Sequence, residues 1–305
     1  MAWFEGFEDR RHLLGEIALR ARTGGRADAP PLLLLHGFPQ TSAMWHRVAQ
    51  QLAPHYRLVM PDLRGYGESD KPMGGHRHIN YSKRVMADDM HRLMRALGHE
   101  QYFVCGHDRG GRVAHRLALD QPEAVRRLAV LDIVPTLDMY ASADQRFASA
   151  YYHWFFLIQP APHPEKMIGA DPVHYARWKL SGWGSLKHQF YEPQAFDEYL
   201  RCFSQPQAIH GACEDYRAAA SIDLAHDAQS RADEQRVRCD MLVLWGARGV
   251  IHSMFDTLRL WRAQCSGHVQ GMALPAGHYL AEELPEETAR HLQAFFNAAP
   301  ARGAG

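Results

Sequence analysis

Asp108 stands in a sequence context that can turn a carboxylate into a nucleophile. The apolar run from Tyr102 to Cys105 predicts a buried strand, and an amphipathic helix pattern follows Asp108. Gly106 and Gly110 flank it, as a sharp strand-to-helix turn with an exposed central side chain requires. A carboxylate is already ionised at neutral pH, so Asp108 can attack carbon without a base to deprotonate it. The ester formed by that attack then needs a second group to hydrolyse it.

His278 and Asp132 are the candidates for that second step. His278 lies in a loop after the last predicted strand, where an imidazole can activate water. Asp132 interrupts the apolar run Leu128–Val134, and an acid in such a run is costly unless it has a partner. The turn after Trp245 holds no carboxylate that could serve instead. The order Asp108, Asp132, His278 therefore fits the nucleophile, acid and base of a hydrolytic triad. The alternative for Asp132 is a structural role bonded to loop amides.

Strands and helices alternate along the chain in the way needed to position these residues. Strands are predicted over 7–23 (two strands), 32–35, 56–60, 102–105, 128–134, 241–246 and 268–272. Helices are predicted near 43 with Ser42 as cap, after an Asn80 cap, after Asp108, and from Pro285 onward. Continuous apolar strands between helices predict an α/β fold with a mostly parallel sheet.

A change of composition divides the chain. Residues 137–227 are rich in aromatic residues and proline and show helical rather than strand patterning. We interpret this stretch as a helical cap inserted into a core formed by residues 1–136 and 228–305. The tail 298–305 is predicted to be frayed.

The composition gives no sign of a nucleic-acid or membrane partner. Lys plus Arg and Asp plus Glu each number 34 in 305 residues, so the formal net charge is zero. No apolar run approaches the roughly 18 residues of a membrane span. The N-terminus has acids in place of an apolar segment, which predicts no signal peptide. Five cysteines without CxxC spacing favour a reduced, cytoplasmic protein.

The 20 histidines show no spacing typical of metal ligands, so no metal site is predicted. His76 and His78 lie in a glycine-rich loop and are interpreted as solvated. Asp62 and Arg64 follow a predicted strand, and we expect them to hold a loop in place by hydrogen bonds rather than to form a site.

The chain resembles the α/β-hydrolase superfamily over nearly its whole length, and within it the haloacetate (fluoroacetate) dehalogenases. The matching stretches are His36-Gly37-Phe38-Pro39-Gln40, Gly106 to Arg112, Leu131-Asp132-Ile133, Tyr152-His153-Trp154, Glu214 to Ala218, Leu244 to Ala247, and Gly277-His278. The turn at Asp108 alone specifies only a hydrolase with a carboxylate nucleophile. Its combination with Arg112 and the His153-Trp154 pair is much more specific. The resemblance implies an eight-stranded, mostly parallel sheet flanked by helices and carrying the cap.

The resemblance also implies a two-step mechanism without metal or organic cofactor. Asp108 displaces halide from the α-carbon of a haloacetate, and His278, oriented by Asp132, activates water against the resulting ester. The backbone N–H groups of Phe38 and Arg109 would hold the oxyanion. Arg109 and Arg112 share a helix face and would bind the substrate carboxylate by bidentate hydrogen bonds. The alternative for Arg112 is a salt bridge in the core.

The resemblance further assigns three cap residues to the departing halide. His153, Trp154 and Tyr216 would donate hydrogen bonds to it, which matters most for fluoride because fluoride leaves poorly. If each residue is considered alone, Trp154 would be interpreted as an aromatic residue of the core, and His153 as a neighbour whose hydrogen bonds are satisfied. Trp183 is expected to pack rather than to line the pocket.

Other functions stay open. An epoxide hydrolase shares the Asp turn and needs cap tyrosines, for which Tyr151, Tyr152 and Tyr216 are candidates. Paired arginines are poorly matched to a neutral epoxide or haloalkane. A ligand-binding relative without catalysis has no need of the intact triad. A homodimer is expected from the resemblance, while the preferred halide and the acceptance of larger 2-halo acids are undetermined.

Overall fold

The computed structural model describes residues 3–184 and 189–298. One sheet runs through the centre of the protein. Its strands are β1 (Glu8–Leu14), β2 (Ile17–Gly25), β3 (Pro31–Leu35), β4 (Arg57–Pro61), β5 (Tyr102–His107), β6 (Val125–Leu131), β7 (Met241–Gly246) and β8 (Val269–Leu274). The predicted tail beyond Ala298 lies outside the described residues.

The eight strands lie in the order β1-β2-β4-β3-β5-β6-β7-β8. β2 pairs antiparallel with both β1 and β4, and every other pairing is parallel. The predicted mostly parallel sheet is confirmed. Central strands such as β3 and β5 are buried almost throughout, which explains their continuous apolar sequences.

Helices connect the parallel strands. They are α1 (His46–Leu52), α2 (Lys83–Ala96), α3 (Asp108–Asp120), α4 (Thr136–Ala141), α5 (Gln145–Ala150), α6 (Tyr152–Leu157), α7 (His163–Ala170), α8 (Pro172–Gly182), α9 (Pro193–Phe203), α10 (Pro206–Ala219), α11 (Ile222–Ala232), α12 (Val250–Met254), α13 (Thr257–Gln264), α14 (Leu280–Glu283) and α15 (Pro285–Asn297), with 3₁₀ helices at Ser42–Trp45 and His76–Tyr81. No helix in 3–184 or 189–298 has both the length and the apolarity needed to cross a bilayer.

Helices α4 to α11 all lie between β6 and β7, in the stretch interpreted as a cap. The predicted boundary at 227 falls inside α11, and the division into core and cap stays a prediction. Parallel strands present their carboxyl ends at one edge of the sheet, so the residues following β5, β6 and β8 lie near one another beneath these helices.

Two predicted helix caps were wrong. Ser82, not Asn80, caps α2 by accepting from the Val85 N–H, because Asn80 donates instead to the carbonyl of Met73. Thr41, not Ser42, caps the 3₁₀ helix that precedes α1.

The loop interpretation of Asp62 and Arg64 is confirmed. Asp62 accepts from the backbone N–H groups of Ser42 and Glu68, and Arg64 forms a two-point ion pair with Asp89. These bonds tie the loop after β4 to the segment after β3 and to α2.

Candidate active site

Asp108 lies at a strained turn between β5 and α3. Its backbone φ is +48°, in the left-handed region that few non-glycine residues adopt. A Cβ at Gly106 would lie 2.4 Å from the carbonyl oxygen of Gly110, and one at Gly110 would lie 2.3 Å from that of His36. Only glycine fits at either position, so the sequence around Asp108 forces the tight turn.

The loop after β3 contacts the Asp108 carboxylate. The backbone N–H of Phe38 donates to its Oδ1 at 2.9 Å, which places one of the two predicted oxyanion donors on the proposed nucleophile. Arg109 follows Asp108 in the first turn of α3, where backbone N–H groups lack intrahelical partners. Gly37 has no room for a side chain, since a Cβ there would lie 2.5 Å from the Cβ of Asp108. No described residue is seen to donate to the other oxygen of Asp108, Oδ2.

His278 and Asp132 are joined directly. His278 Nδ1 lies 2.6 Å from Asp132 Oδ2, while Asp132 Oδ1 accepts from the backbone N–H of Gly246 at 2.9 Å. Asp132 lies one residue beyond β6 with φ +51°. It accepts from a loop amide, as its structural alternative expects, and it also contacts His278; its role as triad acid stays a prediction. Burial lowers the pKa of His278, but the hydrogen bond and charge of Asp132 outweigh it and hold that pKa above its ordinary value.

Trp183 contacts His278, the proposed base. Its carbonyl accepts from the backbone N–H of His278 at 2.9 Å, and its ring centroid lies 5.1 Å from the imidazole of His278. The His107 ring donates to the His278 carbonyl from the other side at 2.9 Å. These two bonds fix the backbone of the base.

Arg109 is held by a carboxylate that the sequence had not singled out. Its Nε and Nη2 donate to Oδ2 and Oδ1 of Asp215 at 3.0 and 2.7 Å, and both side chains are fully buried. Its guanidinium carbon lies 4.3 Å from the ring centroid of Tyr216, and its Nη1 is buried with no hydrogen-bond partner among the described residues. A core salt bridge was the alternative considered for Arg112, but it is Arg109 that forms one.

Arg112 is buried without a carboxylate partner in the described part of the chain. Its Nη1 donates to the carbonyl of Val134 at 3.2 Å and to Oγ1 of Thr136 at 2.7 Å. Its Nε has no partner, and its guanidinium lies 4.8 Å from the ring centroid of Trp154. A charge buried this way is costly unless an anion joins it. Arg112 thus brings an unpaired positive charge to the site.

The three predicted halide-binding residues cluster against these arginines. His153, Trp154 and Tyr216 are at most 3 % exposed. The ring of Tyr216 lies 5.6 Å from that of His153 and 6.2 Å from that of Trp154. Phe38 stacks on His153 at 6.0 Å, so this group adjoins the loop that bonds Asp108.

Lys179 of α8 is a site neighbour that sequence reasoning missed. It is 4 % exposed and its Nζ lies 3.0 Å from Nδ1 of His153. Burial lowers the pKa of Lys179 to about 7, although the negative charge of Asp108 acts to raise it. A lysine in a helix ordinarily faces water. The neighbouring residues Trp178 and Leu180 therefore did not indicate that Lys179 would be buried.

The charges of the site act together on the nucleophile. Burial would raise the pKa of Asp108, but the neighbouring charges of His278, Arg109 and Arg112 hold it below its ordinary value. Asp108 is thus ionised at neutral pH, as nucleophilic attack requires.

One cluster outside the site has a ligand set suited to a metal. Side-chain atoms of Glu165, His210 and Glu214 lie within 4.8 Å of one another. Arg217 donates to both carboxylates, at 2.6 and 2.8 Å, and offsets part of their charge. His78 also pairs with Glu214 at 2.7 Å rather than being fully solvated as expected. The cluster is therefore an ion-pair network.

Comparisons with known sequences agree on the family to which the chain belongs. Residues 30–285 match the alpha/beta hydrolase fold family. A fluoroacetate dehalogenase of Burkholderia sp is 46% identical over 294 residues, which cover 96% of this chain and 95% of that protein. A soluble epoxide hydrolase of Corynebacterium sp. (strain C12) is 33% identical over 84% of this chain and 86% of its own length.

Comparison with solved structures agrees on the fold. A provisionally assigned alpha/beta hydrolase from Nostoc sp PCC 7120 is 51% identical and superposes with a TM-score of 0.94, covering 97% of this chain and all of that one.

Proposed function

We propose, from the premise that this chain belongs to the alpha/beta hydrolase family and within it to the haloacetate dehalogenases, that it hydrolyses haloacetates to glycolate and halide. The reaction consumes one water and cleaves one carbon–halogen bond. The substrate is a small halogenated carboxylate, and the chemistry proceeds by way of a covalent ester.

In the first step, Asp108 Oδ2 attacks the α-carbon from the side opposite the halogen. The carbon–oxygen bond forms as the carbon–halogen bond breaks, and the halide leaves with the bonding pair. Arg112 and the free Nη1 of Arg109 bind the substrate carboxylate, which offsets its repulsion from Asp108. His153, Trp154 and Tyr216 donate to the departing halide.

In the second step, His278 takes a proton from water, which attacks the carbonyl carbon of the Asp108 ester. Asp132 holds the imidazole in place and stabilises its charged form. The N–H of Phe38, already on Oδ1, stabilises the oxyanion together with the N–H of Arg109. Collapse of the tetrahedral intermediate expels the glycolate oxygen, which takes the proton back from His278. The Asp108 carboxyl then loses its proton to solvent and is restored as a carboxylate.

The observation that carries this proposal is the pair of buried guanidiniums whose charges act on Asp108. Arg112 has no carboxylate partner among the described residues, Arg109 has an unbonded Nη1, and both guanidiniums lie on aromatic halide-site residues. A substrate that is itself an anion would complete the hydrogen bonding of these two guanidiniums. The near-complete burial of Asp108 and His278 favours a substrate of a few atoms. A homodimer and a cytoplasmic location stay predictions from the sequence.

An epoxide hydrolase is the second candidate. A relative with that activity is 33% identical. Tyr216 is buried, and burial together with the charge of Asp108 raises the pKa of Tyr216, so its hydroxyl stays protonated and can donate. Tyr152 is 39 % exposed and so is poorly placed to serve as its partner, whereas Tyr151 is buried.

The test measures both activities on one preparation. Fluoride and chloride released from fluoroacetate and chloroacetate are followed with ion-selective electrodes, beside diol formation from styrene oxide. We expect halide release without diol, and no turnover by Asp108→Asn. Diol without halide would establish the epoxide hydrolase, and unchanged turnover by Asp108→Asn would exclude the ester mechanism.

A further inference from the structure

Lys179 makes an unusual set of contacts for a lysine. Its ammonium lies 3.0 Å from His153 Nδ1, 4.8 Å from the ring centroid of Tyr152 and 5.0 Å from that of Trp183. No ion pair involves Lys179 in the described part of the chain. Burial of a lysine without an acidic partner opposes folding, which points to a role beyond packing.

The geometry constrains the proton on His153. In its charged form Lys179 has three donors and no acceptor, so His153 Nδ1 then accepts its hydrogen bond. Burial and the nearby charge of Lys179 hold the pKa of His153 well below its ordinary value, so the ring is neutral. A neutral imidazole that accepts at Nδ1 carries its proton on Nε2.

Nε2 of His153 is the ring nitrogen that is left to donate to a ligand in the site. It forms no hydrogen bond with any described residue, and the ring lies between Phe38, Tyr216 and Trp183 at centroid distances of 6.0, 5.6 and 5.2 Å. With the opposite tautomer, Nε2 would present a lone pair to a departing anion and repel it.

We propose that Lys179 is a positioning residue that fixes His153 as the Nε2–H tautomer, so that the ring donates to departing fluoride. This inference rests on the proposed function. Lys179 does not touch the reacting atoms, and its effect reaches the halide through His153. Because fluoride is the poorer leaving group, the effect is larger for fluoroacetate than for chloroacetate.

The variant that tests this is Lys179→Met. Methionine has a similar volume, and exchanging a buried ion for an apolar side chain is often neutral for stability. We expect kcat on fluoroacetate to fall by about 10- to 100-fold, and on chloroacetate by less than about threefold, because the donor is misdirected rather than removed. Lys179→Arg keeps both donor and charge and should recover part of the fluoroacetate rate. Lys166→Met, at an exposed lysine of α7, is the matched control.

The tautomer is also measured directly, without turnover. Nitrogen NMR of histidine-labelled wild-type protein, with His153 assigned by difference from His153→Gln, distinguishes a protonated Nε2 from a protonated Nδ1. Below pH 7, where Lys179 is charged, we expect protonated Nε2 in the wild type and a mixture in Lys179→Met.

Two outcomes overturn the inference: equal loss on both haloacetates in Lys179→Met, or a proton on Nδ1 of His153 in the wild type below pH 7. If the wild-type protein releases no halide, the proposed function has failed instead, and the NMR measurement still decides whether Lys179 sets the tautomer.

Discussion

Arg109 and Asp215 form a two-point ion pair in which both side chains are fully buried. Lys83 and Tyr66 also donate to Asp215, so the carboxylate is fully bonded while Arg109 keeps one nitrogen, Nη1, without a partner. The pair thereby fixes the guanidinium and leaves one donor for a ligand. An unpaired buried donor is rare in proteins, and a substrate carboxylate accounts for it.

Asp215→Asn tests this arrangement through stability and its pH dependence. Removing one partner of a buried pair costs about 3 to 5 kcal/mol of unfolding free energy. The charges of Arg109 and Lys83 overcome burial and hold the pKa of Asp215 well below its ordinary value. The stabilisation that ionised Asp215 gives the folded state is therefore present above the pKa of Asp215 in the unfolded chain, near 3.9. It is lost as the pH falls toward the pKa of Asp215 in the folded protein.

We expect urea unfolding to show a large difference between the wild type and Asp215→Asn at neutral pH that shrinks in acid. Asp227→Asn, which removes a partner of Arg116 farther along α3, should cost much less because Asp227 is partly exposed. A difference that does not change with pH would contradict the assignment.

Arg112→Gln tests substrate binding. Loss of a charged hydrogen bond to the substrate is worth roughly 1.5 to 3 kcal/mol, so kcat/KM for haloacetates should fall about 10- to 150-fold. Arg116→Gln on the same helix, whose partners are Asp120 and Asp227, should leave kcat/KM nearly unchanged. Steady-state halide release measures both. A lower stability of Arg112→Gln with unchanged kcat/KM would show that Arg112 has only a structural role.

Gly37→Ala tests the contact between the loop after β3 and the nucleophile. The added methyl would lie 2.5 Å from Cβ and 2.8 Å from Oδ1 of Asp108, so one of them must move. A misplacement of this size costs on the order of 100-fold in rate. Gly169→Ala, where nothing lies within 4 Å of the new atom, is the control. Equal rates for the two variants would show that Asp108 tolerates displacement.

Asp132→Asn tests the base through the pH dependence of kcat. His278 must be neutral to accept a proton, so kcat falls as pH decreases through the folded pKa of His278, which Asp132 raises above 6.5. The variant should move this acid limb to lower pH and reduce the plateau on the order of 10,000-fold. An acid limb that stays in place would mean that another group controls it.

Much of the fold and the triad was predictable because each rests on local sequence. Apolar runs and flanking glycines specify β5 and the turn at Asp108, and an acid in an apolar run identifies Asp132. Partnerships between distant segments were not predictable. Asp215 lies 106 residues from Arg109 and Lys179 lies 26 from His153, and nothing in either local pattern indicates the contact. Ser82 displaced Asn80 as a cap because the Asn80 amide bonds the Met73 carbonyl, which periodicity does not encode.

The most direct test of the central claim, covalent attack by Asp108, follows oxygen through a single turnover. Enzyme in excess over fluoroacetate is mixed in heavy-oxygen water, and the glycolate is analysed by mass spectrometry. We predict that the hydroxyl of this first glycolate carries light oxygen, donated by the Asp108 carboxylate, while the heavy label enters the enzyme. Heavy oxygen in the hydroxyl of the first glycolate would contradict the ester intermediate.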